Sequence, residues 1–196
     1  MSDEANPDEK GGADIMFTPA VRDVQDRLGS RQKMEKLASH GRFRTKITDD
    51  LVEFISVRNS IYLGTASADG QPYIQHRGGE PGFVKVVDEN HLEFPDLPGN
   101  QQYISLGNLS ENNRAFIFAM NYEDRVRVKL WGNLSVVEQE GPTRRFRFRV
   151  TAWDVNCPRN IPNLYAMPAV TRRVEELQSR IRLLEAEIER LKSAAE

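Results

Sequence analysis

Three polar side chains in a row, Gln75-His76-Arg77, run into a cluster of backbone breakers, Gly78-Gly79-Glu80-Pro81-Gly82. An amide, an imidazole and a guanidinium at a strand end can bind a planar, phosphorylated ligand. Neighbouring glycines let that ligand approach the backbone closely. The same residues also suit a plain alternative, a polar strand end whose arginine is held in a salt bridge. Other chemistry is sparse. The chain contains no Gly-x-Ser-x-Gly, no His-Glu-x-x-His and no Gly-x-x-x-x-Gly-Lys-Ser/Thr. His40, His76 and His91 stand in separate segments, so no metal site is expected. Cys157 is the sole cysteine, which excludes an intramolecular disulfide; it precedes a proline and reads either as a packed small residue or as a thiol near Arg159. Arg145, Arg147 and Arg149 alternate along one strand face, the pattern of a charged edge strand that resists sticking to other strands.

These residues need elements to hold them. Thr18-Pro19 is a helix start, followed by Val21, Val24 and Leu28 at helical spacing, and Met34 and Leu37 mark a further helical turn. Thr48-Asp49-Asp50, with Leu51, Phe54 and Ile55 behind it, predicts a helix over 49–58. From residue 61 the hydrophobic period becomes two. Strands are expected at 61–66 and 73–77 around the Asp69-Gly70 turn, then at 83–87, 91–94, 115–121, 125–138 and 145–153. In the last of these, strict alternation turns Phe146, Phe148, Val150 and Ala152 inward. Short turns between strands, with no βαβ rhythm, predict a mainly β protein with an antiparallel barrel or sandwich and flanking helices.

Residues 1–14 read as an acidic tail, 15–170 as the domain and 171–196 as a separate helix. In that helix Val174, Leu177, Ile181, Leu184, Ile188 and Leu191 follow the 3-4 heptad spacing. The stripe would serve a parallel coiled coil or packing on the chain's own barrel. Lys and Arg number 27 against 29 Asp and Glu, a net charge of −2, which argues against a nucleic-acid partner. No apolar run approaches the roughly 18 residues of a membrane span. The first ten residues, with Asp3, Glu4, Asp8 and Glu9, lack the pattern of a secretory signal, so a cytoplasmic location is expected.

The run from Ala68 to Val86 resembles the pyridoxamine 5′-phosphate oxidase-related, FMN-binding split-barrel family. So do Phe94-Pro95-Asp96, Gly99-Asn100, Tyr103 to Leu109, Asn112 to Ala115 and Ala152 to Pro158, together spanning about residues 16–165. The resemblance implies a six-stranded antiparallel split β-barrel, a homodimer, and FMN at the dimer interface. It implies cofactor contacts from Gln75, His76 and Arg77 on the return strand, from Asn100, Ser105 and Asn108 around the phosphate, and from Trp153 and Arg159 closing the site. His76 is the candidate catalytic acid or base, because imidazole titrates near neutral pH. The implied activity is an oxidoreductase acting on a small-molecule redox substrate, with NAD(P)H as a candidate reductant. The alternative is a non-catalytic flavin or haem carrier using the same pocket. Pyridoxamine 5′-phosphate oxidases end in an Arg-Leu-x-Pro motif, whereas this chain ends in the heptad helix, so the resemblance does not extend to the substrate.

Overall fold

The computed structural model describes residues 11–137, 144–156 and 158–194. Cys157 and residues 1–10 of the acidic tail lie outside them. By contact the chain divides into two units, Met1–Asn121 with Val126–Arg159, and Tyr122–Arg125 with Asn160–Glu196.

The first unit opens with three short helices, α1 (Gly12–Met16), α2 (Pro19–Arg27) and α3 (Arg31–Ser39). Helix α1 starts inside the segment expected to be tail. Gly12 is buried there, and a Cβ at this position would sit 2.6 Å from the Phe43 carbonyl oxygen. The Thr18 hydroxyl caps α2 by accepting from the Val21 amide at 3.4 Å. Helix α4 (Asp49–Ser56) has the expected acidic first turn and buries Leu51 and Ile55, one turn apart. Eight residues form no stable helix alone. Burying two such side chains contributes about 1.5–3 kcal/mol each, and this holds α4 in place.

Seven strands follow: β1 (Ser60–Ala66), β2 (Pro72–Gly78), β3 (Lys85–Val86), β4 (His91–Pro95), β5 (Arg114–Asn121), β6 (Val126–Val137) and β7 (Arg145–Asn156), with α5 (Ile104–Glu111) between β4 and β5. They form one antiparallel sheet in the order β2-β1-β5-β6-β7-β4-β3. The six strands implied by the family resemblance are corrected to seven. The two-residue β3 pairs with β4, and among the described residues no ladder joins the end strands β2 and β3. Inner side chains of β1, β4, β5, β6 and β7 meet in one core with Ile47, Leu51, Ile55 and Val84.

Two sequence expectations fail on β7 for identifiable reasons. The strand is internal, between β6 and β4, so its arginines do not guard an edge. Arg145 and Arg147 instead clasp Glu93 of β4, at 3.2 Å and 2.6 Å. The Arg147 hydrogen bond, with help from Arg145 and against the cost of burial, holds the Glu93 carboxyl below the ordinary glutamate value. The second failure is one of parity. A bulge lies where Trp131 pairs with Ala152 but Gly132 pairs with Val150, leaving Thr151 as an extra residue. The bulge brings Trp153 into the core cluster beside Phe146, Phe148 and Val150, while Ala152, also fully buried, lies outside that cluster. Gly132 is required here, because a Cβ would stand 2.0 Å from the Arg149 carbonyl oxygen.

In the second unit, the Asn163 side-chain amide donates to the Glu123 carbonyl at 3.0 Å, and a single long helix, α6 (Met167–Ser193), follows. No helix among the described residues is long and apolar enough to cross a membrane.

Candidate functional site

Strand β2 is an end strand, and its pleat sorts the three polar residues singled out in the sequence. Tyr73, Gln75 and Arg77 turn to one side, where they line a cleft of about 330 Å³. Ile74 and His76 project from the other side. The opposite wall of the cleft is the segment from Asp96 to Leu106, which carries the chain from β4 into α5, and Arg144 also lines it. In this wall Gln101 and Tyr103 adopt left-handed backbone conformations, φ 59° and 53°. Non-glycine residues pay roughly 1–3 kcal/mol for such conformations, and the cost is commonly sustained at ligand sites. Tyr103 is the residue before the first turn of α5, and no side chain caps that turn.

The cleft holds a charge cluster. Asp96, nine-tenths buried, receives the Arg77 guanidinium at 2.7 Å and the Arg144 guanidinium at 3.1 Å. Two cations share one carboxylate, so the cluster carries a net positive charge. Arg77 is itself nearly buried, stacks over the Phe146 ring at 5.1 Å, and has a buried Nε with no partner. Arg144 lies over the Tyr103 ring at 5.7 Å. The Ser105 hydroxyl reaches the Gln75 amide oxygen at 3.2 Å, which ties α5 to β2. The Asn100 side chain accepts from the Gln102 amide at 3.3 Å. Guanidinium, hydroxyl and amide groups converging on one cavity form an anion-binding set suited to a phosphate. Among the described residues, no group of three His, Cys, Asp or Glu side chains could hold a metal ion.

Comparison with known proteins places this geometry in a family. The model of the pyridoxamine 5′-phosphate oxidase family matches residues 47–191. The chain belongs to this family. No curated protein sequence matches it. Several solved structures resemble it at low identity. HupZ of Group A Streptococcus is 15% identical over 61% of this chain and 99% of that one, with a TM-score of 0.46. An FAD-binding protein of Mesorhizobium loti is 15% identical over 59% and 98%, with a TM-score of 0.42. A Clostridium acetobutylicum protein related to general stress protein 26 is 10% identical over 63% and 99%, with a TM-score of 0.41.

In this family member, Gln75, Arg77, Asn100 and Ser105 come together in the cleft. Asn108 lies beyond the lining and donates to the Thr65 hydroxyl at 3.0 Å, bracing α5 against β1. His76 is on the opposite face of β2, edge-on to the Tyr62 ring at 5.7 Å, because adjacent strand residues point to opposite sides. Trp153 is in the core, with its indole N–H donating to the Lys46 carbonyl at 2.7 Å and Arg44 over its ring at 4.8 Å. Arg159 is exposed and outside the cleft lining. Tyr73, Asp96, Tyr103 and Arg144 are cleft residues that the sequence reading did not pick as ligand contacts. The period-two pattern of β2 carried the signal for Tyr73. No local signal joins Asp96 to Arg144, which are brought together by the β4–β7 pairing.

Proposed function

We propose that the chain is an FMN-binding flavoprotein that acts as an oxidoreductase on a small-molecule substrate. The observation that carries this reading is the cleft's net positive cluster, with a buried Arg77 Nε that has no partner, in a member of the pyridoxamine 5′-phosphate oxidase family. The donor set fits a phosphate monoester. Arg77 and Arg144 would supply charge, Ser105 and Asn100 would supply hydrogen bonds, and Gln75 would be oriented by Ser105. When bound, FMN would supply the electron chemistry. The residues' part is to bind the phosphate arm, keep the guanidinia in place through Asp96, and exclude water around Phe146.

The reading extends to a homodimer. The outer face of β1, β2, β5 and β6 carries Tyr62 and Ile74, both exposed, and the half-buried Phe116, Phe118 and Trp131. A second copy is the occupant that covers such a face at no cost in new sequence. His76 belongs to this outer face, so it can act as an acid or base only on a cofactor held across the interface.

Purified protein should be yellow, and mass spectrometry of the released cofactor should find FMN and not FAD. Addition of NADH or NADPH should bleach the flavin if a reduced nicotinamide is the donor. A colourless protein that fails to bind added FMN, or one with a haem Soret band, would overturn the proposal.

A further inference from the structure

Helix α6 has 27 residues and buries none of them. The heptad stripe read from the sequence extends to its first residue. Met167 and Val170 precede Val174, Leu177, Ile181, Leu184, Ile188 and Leu191, and the spacing stays 3-4-3-4-3-4-3. All eight side chains are between 40% and 71% exposed. A strict 3.5-residue period over four heptads gives the narrow seam of a coiled coil, whereas a helix packing on a globular core carries a wider apolar face.

We propose that α6 forms a parallel, in-register, two-stranded coiled coil with the α6 of a second copy of this chain. Three features select that occupant. First, the a positions are Met167, Val174, Ile181 and Ile188, and the d positions are Val170, Leu177, Leu184 and Leu191. β-Branched residues at a with leucine at d favour two parallel strands. Second, the flanking charges match. In parallel register Arg180 at g meets Glu185 at e of the second copy, and Glu187 at g meets Lys192 at e. By symmetry each pair occurs twice, and Arg173 at g meets the neutral Gln178. Third, the antiparallel arrangement with full overlap keeps the layers filled and pairs Arg173 with Glu187 twice, but it sets Arg180 against Arg180 of the second copy, so it offers fewer favourable pairs than the four of the parallel register. The intrahelical pairs Arg190–Glu187 and Lys192–Glu189 are solvent-exposed and are exchanged at little cost for the interhelical ones. This inference does not depend on flavin binding.

The test uses the full chain with Cys157→Ser, which removes its only cysteine. Ile181→Cys in this background places a thiol at an a position, where it faces its own copy. Leu183→Cys places one at an exposed position off the seam. Under mild oxidation the first should become a disulfide-linked dimer and the second should not. Charge reversal supplies an independent reading. Arg180→Glu or Glu185→Arg alone should weaken self-association by roughly tenfold, because two pairs change sign, and the double variant should restore it. Equal crosslinking at 181 and 183, or none at 181, would overturn the proposal. So would crosslinking only when Ile181→Cys and Leu177→Cys chains are mixed, which would mark an antiparallel pair.

Discussion

Arg77 connects the stability of the fold to the proposed ligand, and its replacement by alanine separates the two. In the structure its guanidinium sits 2.7 Å from the Asp96 carboxylate and 5.1 Å from the centre of the Phe146 ring. Breaking a buried ion pair from one side costs about 3–5 kcal/mol when the remaining charge is left unpaired. Asp96 keeps Arg144 at 3.1 Å, so it is not left unpaired. The lost stacking on Phe146 adds about 0.5–2 kcal/mol. A net cost of about 2–3 kcal/mol follows, or a fall in Tm of roughly 5–10 °C for a domain of this size. Flavin affinity is a separate quantity. A charge-assisted bond to phosphate is worth about 1.5–3 kcal/mol, so the Kd for FMN should rise roughly 10- to 150-fold. In Arg77→Ala the Asp96 carboxylate and Arg144 remain a neutral pair, so the double variant Arg77→Ala/Asp96→Asn breaks that pair as well and should recover none of the lost stability and none of the lost affinity. Thermal melts and flavin-fluorescence titration on the three proteins read both effects. Unchanged FMN affinity in folded Arg77→Ala would refute the assignment, because Arg77 would then be committed to Asp96 and unavailable to a ligand.

Three further outcomes are expected. Glu93 is held below its ordinary value by Arg147 and Arg145, so its contribution to stability is present above the unfolded glutamate value, about 4.3, and is lost as pH falls through the lower folded value. Glu93→Gln should cost about 2 kcal/mol at neutral pH and flatten the acid limb of the stability curve; an unchanged acid limb would remove Glu93 from the account. Gly132→Ala should fail to fold or lose more than about 4 kcal/mol, since its methyl would stand 2.0 Å from the Arg149 carbonyl oxygen, and a wild-type melting curve would contradict the bulge geometry. Deleting 171–196 should leave a flavin-binding dimer with lowered thermal stability, because the core contains no α6 residue; a colourless monomer by light scattering and absorbance would show that the helix completes the site.

Much of this protein is legible from local chemistry. The acidic start of α4, the Thr18 cap, the Asp69-Gly70 turn between β1 and β2 and the heptad of α6 depend on residues within a few positions of each other, and the structure forms each of them. The Gln75 and Arg77 pair was equally readable. The sequence reading grouped His76 with them, whereas the two-residue period of a strand sends it to the opposite face. What the sequence did not disclose arises from contacts between distant segments. The extra residue at Thr151 shifts the parity of β7 and sends Trp153 to the core, and it depends on how β7 meets Gly132 of β6. The arginine stripe changed from edge protection to an ion-pair clasp because β4 pairs with β7 across more than fifty residues of chain. The cleft's charge balance was decided in the same way. Arg77, Asp96 and Arg144 come from three separate segments, and only the folded sheet brings two guanidinia onto one buried carboxylate.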